Sequence, residues 1–154
     1  MKKLIFGLLV MSVVLITACS QSGEADEVAI LPTAEFTVVA TDIVYDTANL
    51  EVVAGQPVKV TFRNNGALVH DFSIAAMPLD GEALTTETDE DKGGHAHDME
   101  EMAAELDVHV AAPMNGGSNV LQFTPAEPGT YEYYCTVEGH KEAGMVGQLV
   151  VSAP

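Results

Sequence analysis

Val58, Val60 and Phe62 alternate with Lys59, Thr61 and Arg63. Apolar-polar alternation with a period of two belongs to a strand that lays one face on a core and the other toward water. Similar short runs recur along the chain, separated by turn residues. Phe36 to Ala40 and Leu50 to Val53 come before it, with Ala54-Gly55-Gln56-Pro57 as a turn, and Asn64-Asn65-Gly66 closes it. Val69 to Ala76 is the next strand, with His70, Phe72 and Ile74 on one face and Val69, Asp71 and Ser73 on the other. Val108 to Ala111 and Val120 to Thr124 follow, then the turn Pro125 to Gly129, then Thr130 to Cys135 and Gly147 to Val151. Seven or eight such strands, too short to stand alone, predict an all-β chain folded as one antiparallel β-sandwich. There is no internal repeat and no sign of a second domain.

Residues 80 to 107 break the rhythm. They hold 11 of the 23 acidic residues, with His95, His97, Met99 and Met102. Asp98 can cap a short helix in which Met99, Met102, Ala103 and Leu106 share a face. The expectation is an acidic insertion carrying one short helix, laid over the sandwich or its rim. Across the chain, six Lys and Arg face 23 Asp and Glu. That balance excludes a nucleic-acid binder, which needs a basic footprint, and it suits docking onto a basic partner.

The first segment stands outside the fold. Lys2 and Lys3 precede the apolar run Leu4 to Ile16, then small residues, then Cys19. A basic start, an apolar stretch and a small-residue zone describe an export signal over 1–18. The run is shorter than the roughly 20 residues a spanning helix needs. Ile16-Thr17-Ala18-Cys19 resembles the lipobox of bacterial lipoproteins, which implies a lipid on Cys19 and a tether over 19–33 ahead of a domain at 34–154. An uncleaved anchor or an ordinary secreted protein is the competing reading. Two cysteines in an exported chain would otherwise suggest a Cys19–Cys135 disulfide. With lipid on Cys19, Cys135 is left as a lone thiol in an oxidising compartment, where a metal is its natural occupant.

The residues around Cys135 carry that idea further. In Cys135-Thr-Val-Glu-Gly-His140-Lys-Glu-Ala-Gly-Met145 a thiol, an imidazole and a thioether lie close together between two strand candidates, and His70 heads a strand well upstream. Two His and one Cys in a trigonal plane with a weak axial Met is the ligand set of blue-copper electron-transfer sites. Gly139 and Gly144 directly precede His140 and Met145, where glycine lets a loop bend tightly enough to aim both side chains inward. Structural zinc prefers four Cys or His donors and avoids Met. Oxidase-type copper clusters need further His or a second Cys in the loop. With four protein donors there is no open position for a substrate, so neither an enzyme nor a small-molecule substrate is expected.

With these residues in place, the chain resembles a cupredoxin over roughly residues 35 to 154. The Cys-x4-His-x4-Met spacing resembles auracyanin and rusticyanin more than plastocyanin. Asn64-Asn65-Gly66 ahead of His70, the approach Pro128-Gly-Thr-Tyr-x-Tyr-Tyr-Cys135, and Gly144-Met145-Val146-Gly147 carry the likeness. The resemblance implies a Greek-key sandwich with one copper ion near one end, held by His70, Cys135, His140 and Met145. Many cupredoxins have Asn after the first His, tying the two ligand loops together. Here Asp71 stands there, able to accept a hydrogen bond from Thr136 while its charge favours Cu(II).

The expected function is therefore a membrane-tethered, exported, monomeric carrier of single electrons. The edge of His140, ringed by Ala67, Leu68, Ala143 and Val146, would be the exit, and acidic residues would steer a basic redox partner such as a cytochrome. The alternative is a copper carrier or buffer. In that case His95, His97, Met99 and Met102, with His109 and Met114 nearby, would bind additional copper; otherwise this stretch is a solvated acidic excursion.

Overall fold

The alternation is realised as strands whose buried positions recur at every second residue. In the computed structural model, which describes residues 31–87 and 106–154, Val58, Val60, Phe62 and Asn64 are buried while Lys59, Thr61 and Arg63 are more open. Ten strands are present among the described residues: β1 Ala34–Thr41, β2 Val44–Tyr45, β3 Asn49–Val53, β4 Val58–Asn64, β5 His70–Ile74, β6 Leu84–Glu87, β7 Val108–Ala112, β8 Gly117–Phe123, β9 Gly129–Tyr134 and β10 Val146–Ser152. They form two five-stranded sheets, ordered β2-β1-β4-β8-β6 and β3-β10-β9-β5-β7. Every connection from β2 to β9 crosses between the sheets, and only β1–β2 and β9–β10 stay within one, the wiring of a Greek-key sandwich. Most pairings are antiparallel, but β1 with β4 and β3 with β10 run parallel.

Two strands go beyond the expected set. β2 is two residues long and pairs with the end of β1, too short to register as periodicity. β6 lies inside the expected insertion and pairs with β8, Leu84 opposite Gln122 and Glu87 opposite Asn119. The excursion therefore first adds an edge strand. The expected helix from Asp98 lies outside the described residues except for Leu106, which has no regular secondary structure. Cys19 and the leader, and also His95, His97, Met99 and Met102, lie outside them too.

Side chains from both inner faces fill the space between the sheets. Val38, Val60, Phe62, Leu121, Phe72, Ile74, Val110, Tyr133 and Leu149 are fully buried. Tyr133 stacks on Phe72 with ring centroids 4.8 Å apart, and Tyr45 sits 5.5 Å from Tyr133 and edge-on to Phe62 at 6.3 Å. Offset and edge-on ring contacts of this kind add to the burial of the core. The cluster underlies the end of the sandwich where β5 begins and β9 ends, the two places from which His70 and Cys135 project.

Candidate metal centre

Local hydrogen bonds shape both segments that carry the expected ligands. Asn64, fully buried at the end of β4, accepts from the Gly66 N–H at 3.0 Å and donates to the Leu68 carbonyl at 2.9 Å. It thus folds the 64–68 loop over His70. Gly66 is needed there, because a Cβ would lie 3.1 Å from both His70 Nε2 and the Asp42 backbone nitrogen. The second segment spans the mouth of the β9–β10 hairpin. Tyr134 pairs with Val146 as the last rung. Beyond it Cys135 N–H donates to the Met145 carbonyl at 3.2 Å, and Met145 N–H to the His140 carbonyl at 3.0 Å. His140 N–H donates to the Val137 carbonyl at 3.0 Å, and Ala143 N–H to Gly139 at 3.1 Å. Gly139 and Gly144 have φ of 81° and 100°, the left-handed region where glycine carries no Cβ penalty. The expected role of these glycines as bends is met.

Three donor side chains converge at this end. Cys135 Sγ lies 3.4 Å from His140 Nδ1 and 4.0 Å from His70 Nδ1. The two imidazoles are 5.0 Å apart, centroid to centroid, and inclined at 44°. One ligand atom from each of the three residues falls within 4.8 Å of the others. The spacing can be tested against a bound ion. First-row metal bonds of about 2.0 Å to nitrogen and about 2.3 Å to sulfur, at about 120°, put the two atoms about 3.7 Å apart. The observed pair brackets that value, so the donors fit a metal. Met145 is fully buried beside them, in the stretch that its own N–H and carbonyl tie to His140 and Cys135.

The electrostatics agree with a metal rather than a proton as the intended occupant. Burial, helped by the neighbouring His140, brings the His70 imidazole down to about 4, so at neutral pH its ring is uncharged and can offer a lone pair. Its Nε2 is buried with no hydrogen-bond partner. Its Nδ1 is the ring atom turned toward the Cys135 thiol. Burial, with the charge of Asp71, pushes the Cys135 thiol up to about 12. A bare thiolate is therefore disfavoured here, and a cation that takes the place of its proton relieves the penalty.

Around these donors the polar residues are bound to one another. Asp71 is fully buried. One carboxylate oxygen accepts the Thr136 N–H at 2.7 Å and the other accepts the Thr136 hydroxyl, while the Asp71 carbonyl accepts the Tyr45 hydroxyl. The expected link between Asp71 and Thr136 is thus present, and doubled. His140 is 8% exposed, so the ring reaches the surface only by an edge. Ala67, Leu68 and Ala143 are exposed around this end and Val146 is partly buried. Leu68, Ile43 and Val44 are among the exposed large apolar side chains. Sequence reasoning missed the β1–β2 tip carrying Ile43 and Val44; Asp42 with φ 49° makes the turn, and no periodicity marks so short a hairpin. The expected strand over Val108 to Ala111 is present as part of β7 and carries His109. Its Nδ1 lies 2.9 Å from Ser73 Oγ.

Similarity to known proteins follows the same lines. The chain is 34% identical over 112 residues to the copper-resistant cuproprotein CopI of Rubrivivax gelatinosus, covering 70% of this chain but only 59% of that protein. It is 31% identical over 113 residues to auracyanin-A of Chloroflexus aurantiacus, covering 72% of this chain and 68% of the relative. The structure superposes on dithionite-reduced auracyanin from the photosynthetic bacterium Roseiflexus castenholzii with a TM-score of 0.56 at 25% identity, over 77% of this chain and 97% of that one. Residues 32–152 match the family model described as copper binding proteins, plastocyanin/azurin family. From its two-sheet fold, its converging His, Cys and His donors and this match, the chain belongs to the plastocyanin/azurin family of copper-binding proteins, the cupredoxins.

Proposed function

We propose that His70, Cys135, His140 and Met145 hold one copper ion and that the protein carries single electrons between redox partners. The observation that carries this reading is the buried thiol with two imidazole Nδ1 atoms at 3.4 and 4.0 Å. Copper, when bound, supplies a one-electron Cu(I)/Cu(II) couple. The chain does the rest. Cys135, His70 and His140 would hold the ion through one thiolate and two imidazoles, and the buried Met145 would add a weaker thioether donor. The backbone bonds across 135–145 fix where Cys135, His140 and Met145 stand, and so would limit rearrangement of the donors around a bound ion. The edge of His140 offers the route out, and the exposed Leu68, Ile43 and Val44 offer an apolar surface for close approach. Four protein donors leave no position for a substrate, in keeping with a carrier rather than an enzyme.

In this reading residues 1–18 direct export, Cys19 bears the lipid, 19–33 tether the domain at 34–154, and the protein works as a lipid-anchored monomer facing the periplasm or the cell exterior. The acidic balance of the chain suits a partner with a basic docking surface, a cytochrome being one such class. A second reading is favoured by one observation, the similarity to a protein named for copper resistance. There the protein would store or hand over copper, with His95, His97, Met99 and Met102 as loading donors.

Adding Cu(II) to the purified protein separates these readings. An electron carrier develops an intense blue thiolate-to-copper band, loses it in Cys135→Ser, and is reduced and reoxidised reversibly by one electron while keeping its metal. A protein that stays colourless, or a Cys135→Ser variant that stays blue, would falsify the assignment. Rapid loss of the copper to a chelating acceptor would favour the carrier of metal over the carrier of electrons.

A further inference from the structure

The outer face of β5 is as buried as its inner face. Its five residues, His70 to Ile74, are all buried, although Asp71 and Ser73 point away from the core side occupied by Phe72 and Ile74. An uncompensated carboxylate in such a place is expensive. The fold sets an imidazole beside it. Ser73 and His109 are register partners across β5 and β7. Nδ1 of His109 lies 2.9 Å from Ser73 Oγ and 3.9 Å from Asp71 Oδ2. The side chains are 14% and 0% exposed, so water screens this contact little. On its other side the same carboxylate holds both the N–H and the hydroxyl of Thr136, the residue after Cys135. Ser73, His109, Asp71 and Thr136 thus form a line of neighbouring polar groups that ends at the residue after Cys135.

We propose that His109 is a positioning residue for the metal centre, acting through Asp71: by offsetting the carboxylate's charge and holding its orientation, it raises the reduction potential set at Cys135. This inference rests on the copper-site reading above. The carboxylate lies next in sequence to His70 and is bonded to the neighbour of Cys135, so its negative charge favours the more highly charged Cu(II). With its proton on Nδ1, His109 turns the positive end of its ring dipole toward the carboxylate and opposes that preference. Removing His109 leaves the carboxylate unopposed and shifts the potential down, whereas replacing Asp71 by Asn removes the charge and shifts it up. Because His109 acts through Asp71, its substitution has no effect once Asp71 is Asn.

The test is a double-mutant cycle on wild type, His109→Gln, Asp71→Asn and the double variant, read in two ways. In copper-loaded protein the reduction potential falls in His109→Gln, rises in Asp71→Asn, and is the same in Asp71→Asn with or without His109. In metal-free protein, urea unfolding shows the two substitutions to be non-additive by about 3-fold or more in the unfolding equilibrium constant. Additive shifts in potential, or an unchanged potential in His109→Gln, overturn the proposal while leaving the blue-copper assignment standing. Failure of wild type to bind copper overturns both. If His109→Gln does not fold, Ser73→Ala carries the test. It removes only the hydroxyl that steadies the ring and gives a smaller downward shift; no shift there overturns the proposal as well.

Discussion

The carboxylate of Asp71 accepts both the backbone N–H of Thr136, at 2.7 Å, and its side-chain hydroxyl. These residues are 65 positions apart. Each directly follows an expected ligand, so the pair joins the start of β5 to the end of β9 at the point where the metal would bind. Because the acceptor is charged and buried, each bond is stronger than a neutral one. Thr136→Val removes the hydroxyl bond and keeps the N–H bond, at a cost of about 1.5–3 kcal/mol. Asp71→Ala strands both donors and costs more than Thr136→Val. Urea midpoints of the copper-loaded variants check the order, and equal midpoints would mean that the link carries no load.

Gly147 pairs with Tyr133 across β9 and β10, and a Cβ there would fall on the Tyr133 ring. Neither backbone nor ring has room to yield, since Tyr133 is fully buried against Phe72 and Tyr45. Gly147→Ala is expected to destabilise by about 3 kcal/mol, the upper part of the range for overpacking. In a Tyr133→Leu background the same change costs much less. A thermal or urea double-mutant cycle measures the difference, and equal costs in both backgrounds would contradict the steric account.

Two buried tyrosines make stability fall in alkali. Burial, with the charges of Cys135 and Asp71, holds Tyr45 far above its ordinary range, and burial with Asp46 pushes Tyr133 up to about 12. Unfolded tyrosine loses its proton near 10, so between about 10 and 12 the folded chain binds more protons than the unfolded one. Their contribution is fully present below pH of about 10 and is lost as pH rises, by about 1.4 kcal/mol per unit for each tyrosine. Tyr45→Phe is weaker at neutral pH, through loss of its bond to the Asp71 carbonyl, yet its stability falls with about half the slope. Urea titrations of copper-loaded protein from pH 8 to 12 read this directly.

Metal removal lowers the unfolding temperature, because copper bound to the folded state alone stabilises it by mass action. For an electron carrier the stoichiometry is one copper per chain, identical in wild type and His95→Ala/His97→Ala, and the stabilisation disappears in Cys135→Ser. Calorimetric titration with Cu(II) gives both numbers. A second copper lost in the double His variant would move the conclusion toward copper handling.

The chain's formal charge of −17 makes association with a basic redox protein depend on ionic strength. The bimolecular electron-transfer rate is expected to fall as salt rises from 10 mM to 300 mM, most steeply at the low end, as the Debye length shrinks from about 30 Å to less than 10 Å. Stopped-flow mixing with a basic cytochrome tests it; a flat salt profile would remove electrostatic steering from the mechanism.

What was legible beforehand is local in character. The strands β1, β3, β4, β5 and β7 to β10 follow from alternation and turn residues, as at Val58, Val60 and Phe62, because burying one face of a strand leaves its mark at every second position. The loop from Cys135 to Met145 was legible for a similar reason: its donors lie within a few residues of one another, and Gly139 and Gly144 mark where it must bend. His70 entered only because the blue-copper ligand set calls for a second imidazole, since no local pattern links it to Cys135.

Only the folded chain decided the rest, since it depends on which distant segments become neighbours. β2 and β6 exist because β1 and β8 offer them open edges, and two or four residues are too few to announce a strand by period. Asp71 and Ser73 occupy the face of β5 turned from the core, and nothing in their spacing reveals that this face is also buried. His109 stands in a stretch beside other His and Met residues, which suggested a metal donor. The β5–β7 register sets it opposite Ser73 and within reach of Asp71. A sequence names the donors of a site when chemistry demands them close together; what surrounds and tunes them is settled by strand register, which the chain acquires only on folding.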